Sequence, residues 1–280
     1  MLLINTVSEA RSALDPIRNG GQPLAFVPTM GALHEGHLAL VRRARETHHP
    51  VVCSIFVNPA QFNDPEDFRR YPVSLDQDLA LLEREGVAFA FHPSTQEIYP
   101  DGIRPELDYP LGRLDHILEG KYRPGHFQGV ARVMERLLEI VRPGSLFMGQ
   151  KDYQQCLVIK KLLSWLQISL EFIQCPTLRE PDGLALSSRN LLLDPGSRSK
   201  APQLYEALCW ARDRVRRLSF TQIRNRAVQR LQAAGFQVDY LELADRENLE
   251  PLPRFLGSPM VILAAGKIGG IRLIDNVIAG

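Results

Sequence analysis

The chain has 280 residues, 45% of them hydrophobic, with 33 Lys plus Arg against 32 Asp plus Glu and a formal net charge of +1. This length exceeds one average domain and predicts one large and one small domain, while the ordinary globular composition excludes a disordered or fibrous chain. A charge so near zero supplies no global field to hold a polyanion or an anionic membrane, so any anion must be met by a local site.

The amino terminus, MLLINTVSEAR, reaches Glu9 before an apolar signal region develops. No later apolar run approaches the roughly 18 residues of a membrane span, and a cytoplasmic protein without membrane contact is expected. Thr6 with Glu9, Ser74 with Gln77 and Ser219 with Gln222 are each spaced as a capping box, which predicts helices starting near all three. Short β-like runs at 24–27, 51–57, 87–91, 146–148 and 170–174 are separated by helical stripes, the pattern of a parallel α/β sheet. Phe127, Val130, Met134, Leu137 and Val141 form one such stripe, and Leu157 with Leu163 belong to another.

Beyond about residue 176 the texture changes to a loop, two arginine-rich helical segments and three strand-like runs, FQVDYLEL, MVILAAG and IRLIDNV. This α+β order predicts domains at 1–176 and 177–280. The arginines at 212, 214, 216, 217, 224, 226 and 230 alternate with apolar positions as a solvated helix face does, so nucleic acid is not the expected partner. Cys53, Cys156, Cys175 and Cys209 show neither a Cys-x-x-Cys pair nor a zinc spacing, and read as cytosolic thiols.

The chemistry concentrates after the first strong strand, at Pro28-Thr29-Met30-Gly31-Ala32-Leu33-His34-Glu35-Gly36-His37. A strand, a tight turn and a helix amino terminus make an anion site, glycines bring backbone close to a ligand, and two imidazoles can donate to phosphate oxygens. A purely structural turn accounts for a lone His-x-Gly-His equally well. A zinc protease is a poorer match, because the histidines stand three apart rather than four and no third ligand cluster is evident.

His34-x-Gly36-His37 after a first strand resembles the signature of the nucleotidyltransferase superfamily that includes class I aminoacyl-tRNA synthetases. Leu186-Ser187-Ser188-Arg189-Asn190 is similar to the second motif of that superfamily. The segment from Pro176 to Asn190 resembles the pantothenate synthetase family in particular. Asn58-Pro59-Ala60-Gln61-Phe62, Tyr122-Arg123-Pro124-Gly125-His126-Phe127-Gln128-Gly129-Val130, Gly149-Gln150-Lys151-Asp152-Tyr153-Gln154-Gln155 and Gly269-Gly270-Ile271-Arg272-Leu273-Ile274-Asp275-Asn276 extend the resemblance over essentially the whole chain.

The resemblance implies a Rossmann-like domain followed by a smaller α+β domain that covers the active site, and a homodimer. It implies condensation of (R)-pantoate with β-alanine, driven by ATP with Mg²⁺, through a pantoyl adenylate to pantothenate, AMP and pyrophosphate. His34, His37 and Lys151 are then catalytic. ATP falls to Met30, Gly31, Ala32, Leu33, His34, Glu35, Gly36, His37, Gly149, Gln150, Lys151, Asp152, Leu178, Leu186, Ser187, Ser188 and Arg189. Pantoate falls to Asn58, Gln61, Gln155, Val130 and Val133, and β-alanine to Gln61. Relatives carry adjacent carboxylates near magnesium where this chain has Asp76-Gln77-Asp78, which leaves Asp78 as the candidate ligand. A wasted adenylate must be kept from water, so a mobile cover is expected from residues 187–190 or 62–74.

Three other classes fit part of this pattern: a transferase that retains the nucleotide on its product, a tRNA-charging enzyme and a non-catalytic nucleotide-binding module. The second lacks an anticodon-binding appendage. The third has no use for Lys151 and Ser187-Ser188-Arg189. Only Asn58-Pro59-x-Gln61-Phe62 with Gln155 separates the chain from the first.

Overall fold

The computed structural model describes residues 1–103 and 108–280. Packing divides the chain into a first unit, Met1–Gly149 with Val158–Pro176, and a second, Gln150–Leu157 with Thr177–Gly280. The second unit thus takes Gln150–Leu157, which a boundary at residue 176 leaves with the first.

Six parallel strands form the sheet of the first unit: β1 (Leu2–Ile4), β2 (Ala25–Thr29), β3 (Val51–Ile55), β4 (Phe89–Phe91), β5 (Ser145–Gly149) and β6 (Glu171–Cys175). The expected strands lie within about two residues of their sequence positions at most ends, the usual uncertainty of strand ends. β1 is an addition, an edge strand of three residues too short to show a period. Among the helices are α1 (Val7–Asn19), α2 (Glu35–Arg45), α3 (Pro65–Arg69), α4 (Leu75–Arg84), α5 (Thr95–Ile98), α6 (Glu119–Tyr122), α7 (His126–Val141) and α8 (Tyr153–Trp165). Leu24 to Val27 and Val52 to Cys53 are fully buried, since helices cover both faces of such a sheet and its central strands become continuously apolar.

Strand order is β1-β4-β3-β2-β5-β6. From β2 the chain builds outward through β3 and β4, then returns to the other side of β2 as β5. That reversal opens a crevice beyond the carboxyl ends of β2 and β5, where open α/β sheets bind ligands. The Gly31 to His37 turn follows β2, and Gly149 ends β5.

In the second unit β7 (Gln237–Asp245), β8 (Met260–Ile268) and β9 (Ile271–Ala279) form an antiparallel sheet. It is accompanied by α9 (Pro195–Lys200), α10 (Gln203–Arg212) and α11 (Phe220–Ala233). Leu208, Ile223, Ala227 and Leu231 pack with Leu241, Leu243 and Ile262 in one apolar core. Arginines of α11 and of the α10–α11 connection cover the unit's own aromatic rings: Arg214 and Arg230 lie 4.6 and 4.5 Å from the Trp210 centroid, and Arg216 lies 4.8 Å from that of Phe255. Among the described residues no helix is long and apolar enough to cross a membrane.

Thr6 and Ser219 make the expected capping boxes. Ser74 makes no side-chain cap to the α4 backbone; its hydroxyl donates instead to Asp78 Oδ1 at 3.2 Å. The Ser74 backbone, at φ −148° and ψ 54°, is outside the extended region that brings an N-cap oxygen to the helix amides, and the O–H turns to the carboxylate.

Candidate functional site

After β2 the backbone turns through positive φ at Gly31 (82°) and Ala32 (48°). A side chain at Gly31 is excluded twice over, by that φ and by a Cβ position 3.0 Å from Asp78 Oδ2 and 3.1 Å from Ile55 Cγ2. Ala32 accepts the strain because its amide and the next are held: Ala32 N–H donates to Asp78 Oδ2 at 2.8 Å and Leu33 N–H to Oδ1 at 2.7 Å. Asp78 reaches this turn from the first turn of α4 and is only 1% exposed.

That geometry gives Asp78 a structural role where the family resemblance implied a metal ligand. Both of its oxygens accept backbone N–H bonds inside the protein, so the carboxylate is committed to the turn. Asp76, its neighbour in sequence, is exposed. Among the described residues no group of three or more His, Cys, Asp or Glu side chains is gathered to hold a metal ion.

The two histidines assemble as one structure. His34 is the N-cap of α2, and its Nδ1 accepts from Gly36 N–H at 3.1 Å. His34 N–H points at His37 Nδ1 at 3.4 Å, and the rings stack with centroids 4.0 Å apart. A ring nitrogen that accepts carries no proton, so in the neutral imidazoles the proton sits on Nε2 of each ring. Two Nε2–H donors side by side at a helix amino terminus are suited to phosphate oxygens.

A second constellation holds Asn58 and Gln61, two of the residues assigned to pantoate. Asn58, 1% exposed, donates from Nδ2 to Gln61 Oε1 at 3.0 Å and to Gly129 O at 3.1 Å. Gln61 in turn directs Nε2 toward Met30 Sδ at 3.0 Å. The turn Pro59–Gln61 and the first turn of α7 touch so closely that a Cβ on Gly129 would stand 2.0 Å from Ala60 O. Val130 and Val133 follow on α7, both buried.

Three residues that hold this constellation were not expected as such. Tyr99 OH donates to Asn58 Oδ1 at 2.8 Å, and burial pushes its phenol above the ordinary range, so the donor stays protonated. Arg123 Nη1 lies 3.0 Å from His126 Nε2, and a guanidinium only donates, which fixes His126 Nδ1–H as donor to Gln61 O at 2.8 Å. Arg123 and His126 lay within the segment quoted for its family resemblance, but nothing in the spacing pointed them at Gln61.

The second unit carries the other motifs. Gln150–Asp152 is a 3₁₀ turn, with Lys151 Nζ 3.7 Å from Asp152 Oδ1. Leu178 and Leu186 are joined by Leu186 N–H to Leu178 O at 3.0 Å, in a hairpin that delivers Ser187. Ser187 Oγ then accepts from Arg189 N–H at 3.3 Å, and Ser188 is buried. Gln155 is half-buried on the part of α8 that belongs to this unit. All four cysteines are free thiols, and burial pushes Cys53 up to about 12, which leaves it protonated and unreactive.

Known proteins are similar to this chain along essentially its full length. The family model described as pantoate-beta-alanine ligase matches residues 2–278. Pantothenate synthetase of Thermotoga petrophila is 41% identical over 283 residues, covering 100% of both chains; that of Pelotomaculum thermopropionicum is 45% identical, covering 100% of this chain and 99% of its own. The crystal structure of pantothenate synthetase from Thermus thermophilus superposes with a TM-score of 0.92 at 43% identity, covering 99% of each chain. Pantoate-beta-alanine ligase from Francisella tularensis, complexed with beta-gamma ATP and beta-alanine, gives 0.80 at 38% identity, covering 99% of this chain and 97% of that one.

Proposed function

We propose that this chain, which belongs to the pantoate-beta-alanine ligase family, joins pantoate to β-alanine with cleavage of ATP to AMP and pyrophosphate. The observation that carries the reading is the turn after β2, where two stacked imidazoles with Nδ1 turned to backbone N–H groups present paired Nε2–H donors at a helix start.

A carboxylate is a poor electrophile until one oxygen becomes a leaving group. A pantoate carboxylate oxygen attacks the α-phosphorus of ATP, the bond to pyrophosphate breaks, and pantoyl adenylate remains. The neutral amine of β-alanine then attacks the acyl carbon, the bond to AMP breaks, and the amine gives up a proton. Negative charge grows on phosphoryl oxygens in the first step, so preorganised donors supply the rate without a protein nucleophile. His34, His37, Lys151, Ser187, Ser188 and Arg189 are assigned to this role. Met30 to Leu33, Glu35 and Gly36 give backbone at the same turn, with Gly149, Gln150, Asp152, Leu178 and Leu186 at the other ATP segments. Asn58, Gln61, Gln155, Val130 and Val133 are assigned to pantoate, and Gln61 also to β-alanine.

Magnesium enters as MgATP, coordinated by phosphates and water as this ion usually is. With Asp78 committed to backbone amides, no protein side chain is assigned to it. A homodimer in the cytoplasm completes the reading, the first from family resemblance and the second in keeping with free thiols.

Labelled pyrophosphate tests the reaction. With pantoate and MgATP but no β-alanine, the protein is expected to exchange pyrophosphate into ATP, and to release AMP once β-alanine is added. Folded protein that binds ATP yet shows no pantoate-dependent exchange overturns the adenylate route. Exchange with a different acid and no AMP release indicates a nucleotide-retaining transferase.

A further inference from the structure

β9, the edge strand of the second unit's sheet, carries two polar side chains that are almost completely buried. Asp275 and Asn276 are 4% and 2% exposed and pair in register with Ala264 and Leu263 of β8. Neighbours on a strand face opposite sides, so the two reach different segments.

Asn276 spends its whole side chain on the 150–151 turn. Nδ2 donates to Gln150 O and to Lys151 O, each at 3.0 Å, and Oδ1 accepts from Gln150 Nε2 at 3.1 Å. Asp275 takes the guanidinium of Arg179 in a two-pronged pair, 2.6 Å to Oδ2 and 2.9 Å to Oδ1. Arg179 also donates to Gly183 O at 3.2 Å and rests 3.6 Å from the Tyr205 ring centroid. Its backbone bridges Ala185 across the hairpin that ends at Ser187. Asn276 N–H donates to Asp275 Oδ1 at 2.7 Å, which locks the two residues to each other.

The consequence lies in what the held segments carry. One is the turn of Lys151, the other the hairpin that delivers Ser187, Ser188 and Arg189. Buried strand positions need no amide or carboxylate for their stability, and apolar residues there avoid the desolvation cost. What a fully satisfied polar pair adds is a fixed relation between two loops, with both halves of the cation and hydroxyl set referred to one strand.

We propose that Asn276 and Asp275 are positioning residues for the nucleotide: together they set Lys151 and the 187–189 loop at a fixed mutual spacing for the phosphates of ATP. This rests on the ligase reading above. Neither residue touches substrate; each acts through a segment it holds.

Asn276→Asp tests it with almost no change in size. The new oxygen faces two carbonyl oxygens, so the 150–151 turn must shift. Circular dichroism and thermal melting establish folding, and pantoate-dependent pyrophosphate exchange is then measured against ATP and against pantoate separately. The expected result is at least a ten-fold loss in kcat/KM for ATP, with the KM for pantoate within about two-fold of the parent. Asp275→Asn keeps an oxygen for Arg179 but not the two-pronged pair, and is expected to give a smaller loss with the same ATP-against-pantoate split. It carries the test if Asn276→Asp does not fold.

Parent-like exchange in a folded variant overturns the proposal, as does a loss that falls equally on both substrates and follows the folded fraction. Failure of the parent to exchange overturns the ligase reading, and this proposal with it. An exchanging parent beside an unaffected variant overturns the positioning role alone.

Discussion

Each unit buries one carboxylate beneath a loop assigned to the nucleotide, and the two are satisfied in opposite ways. Asp78 faces two backbone N–H groups and a serine hydroxyl, with no guanidinium or ammonium at hydrogen-bond distance among the described residues. Asp275 faces the guanidinium of Arg179 and a backbone N–H. In the first unit the carboxylate shapes a turn directly through its amides. In the second it shapes a hairpin through a side chain. A buried carboxylate paired with one cation depends on that cation, whereas one held by several dipoles loses them only piecemeal.

The largest effect is therefore expected from Arg179→Ala. Removing one partner of a buried ion pair typically costs about 3–5 kcal/mol, because the remaining charge is stranded. Burial already pushes the Asp275 carboxyl above its ordinary value, with Arg179 opposing. Without the guanidinium the rise is greater, and Asp275 escapes the penalty by protonation. A folded pKa above the unfolded one means that the folded state holds more protons within that window, so stability falls as pH rises through it. Urea unfolding of parent and variant across pH 4 to 7 is expected to show the deficit widening toward neutral pH. A constant deficit overturns the ion-pair account of Asp275.

His37→Ala follows, since it removes a donor rather than its support. Loss of one preorganised donor to a developing oxyanion costs roughly 10²–10³ in rate, about 2.7–4 kcal/mol. Single-turnover adenylate formation is the measurement, with the melting temperature expected near that of the parent. A near-parent rate returns His37 to a structural role at the helix start.

Asp78→Asn separates support from donor within the same turn. An amide keeps one acceptor oxygen but turns N–H groups toward an N–H of Ala32 or Leu33, leaving one buried hydrogen bond unmade at about 1–3 kcal/mol. Stability and exchange rate are both expected to fall, unlike His37→Ala, which lowers rate alone. If Asp78 served a metal instead, added Mg²⁺ would stabilise the parent without nucleotide and leave the variant unmoved; no such stabilisation is expected.

This pair of carboxylates also marks the limit of what the sequence displays. The β2 turn was legible because strand, glycine, histidine and helix start lie within ten consecutive residues, where local chemistry dictates the outcome. The parallel sheet was legible because its central strands are buried on both faces and read as uninterrupted apolar runs. Asp78 was visible only through the family resemblance, which offered it to magnesium, because its actual partners are backbone amides with no sequence signature. Arg179 and Asp275 stand 96 residues apart, and His126 reaches a backbone oxygen 65 residues away. Such contacts depend on topology, so periodicity and local spacing do not display them. β1 was missed for a different reason: three residues are too few to establish a period.

The smallest expected effect sharpens the comparison furthest, because two accounts of Ser74 predict opposite signs. Its position before α4, three residues ahead of Gln77, reads as an N-cap. In the structure its hydroxyl donates to Asp78 Oδ1 and makes no cap bond, and its backbone at φ −148°, ψ 54° lies outside the extended region that N-caps prefer. Ser74→Asp distinguishes the two roles. As a cap, aspartate is at least as good as serine and complements the helix dipole, so stability should hold or rise slightly. As a hydroxyl donor, serine is replaced by a second carboxylate beside a buried one, which loses a hydrogen bond worth about 0.5–1.5 kcal/mol and adds like-charge repulsion. We expect destabilisation of at least that size in urea unfolding at pH 7. A variant as stable as the parent at pH 7 would assign Ser74 to the helix and leave Asp78 to hold the turn by its two amide bonds alone.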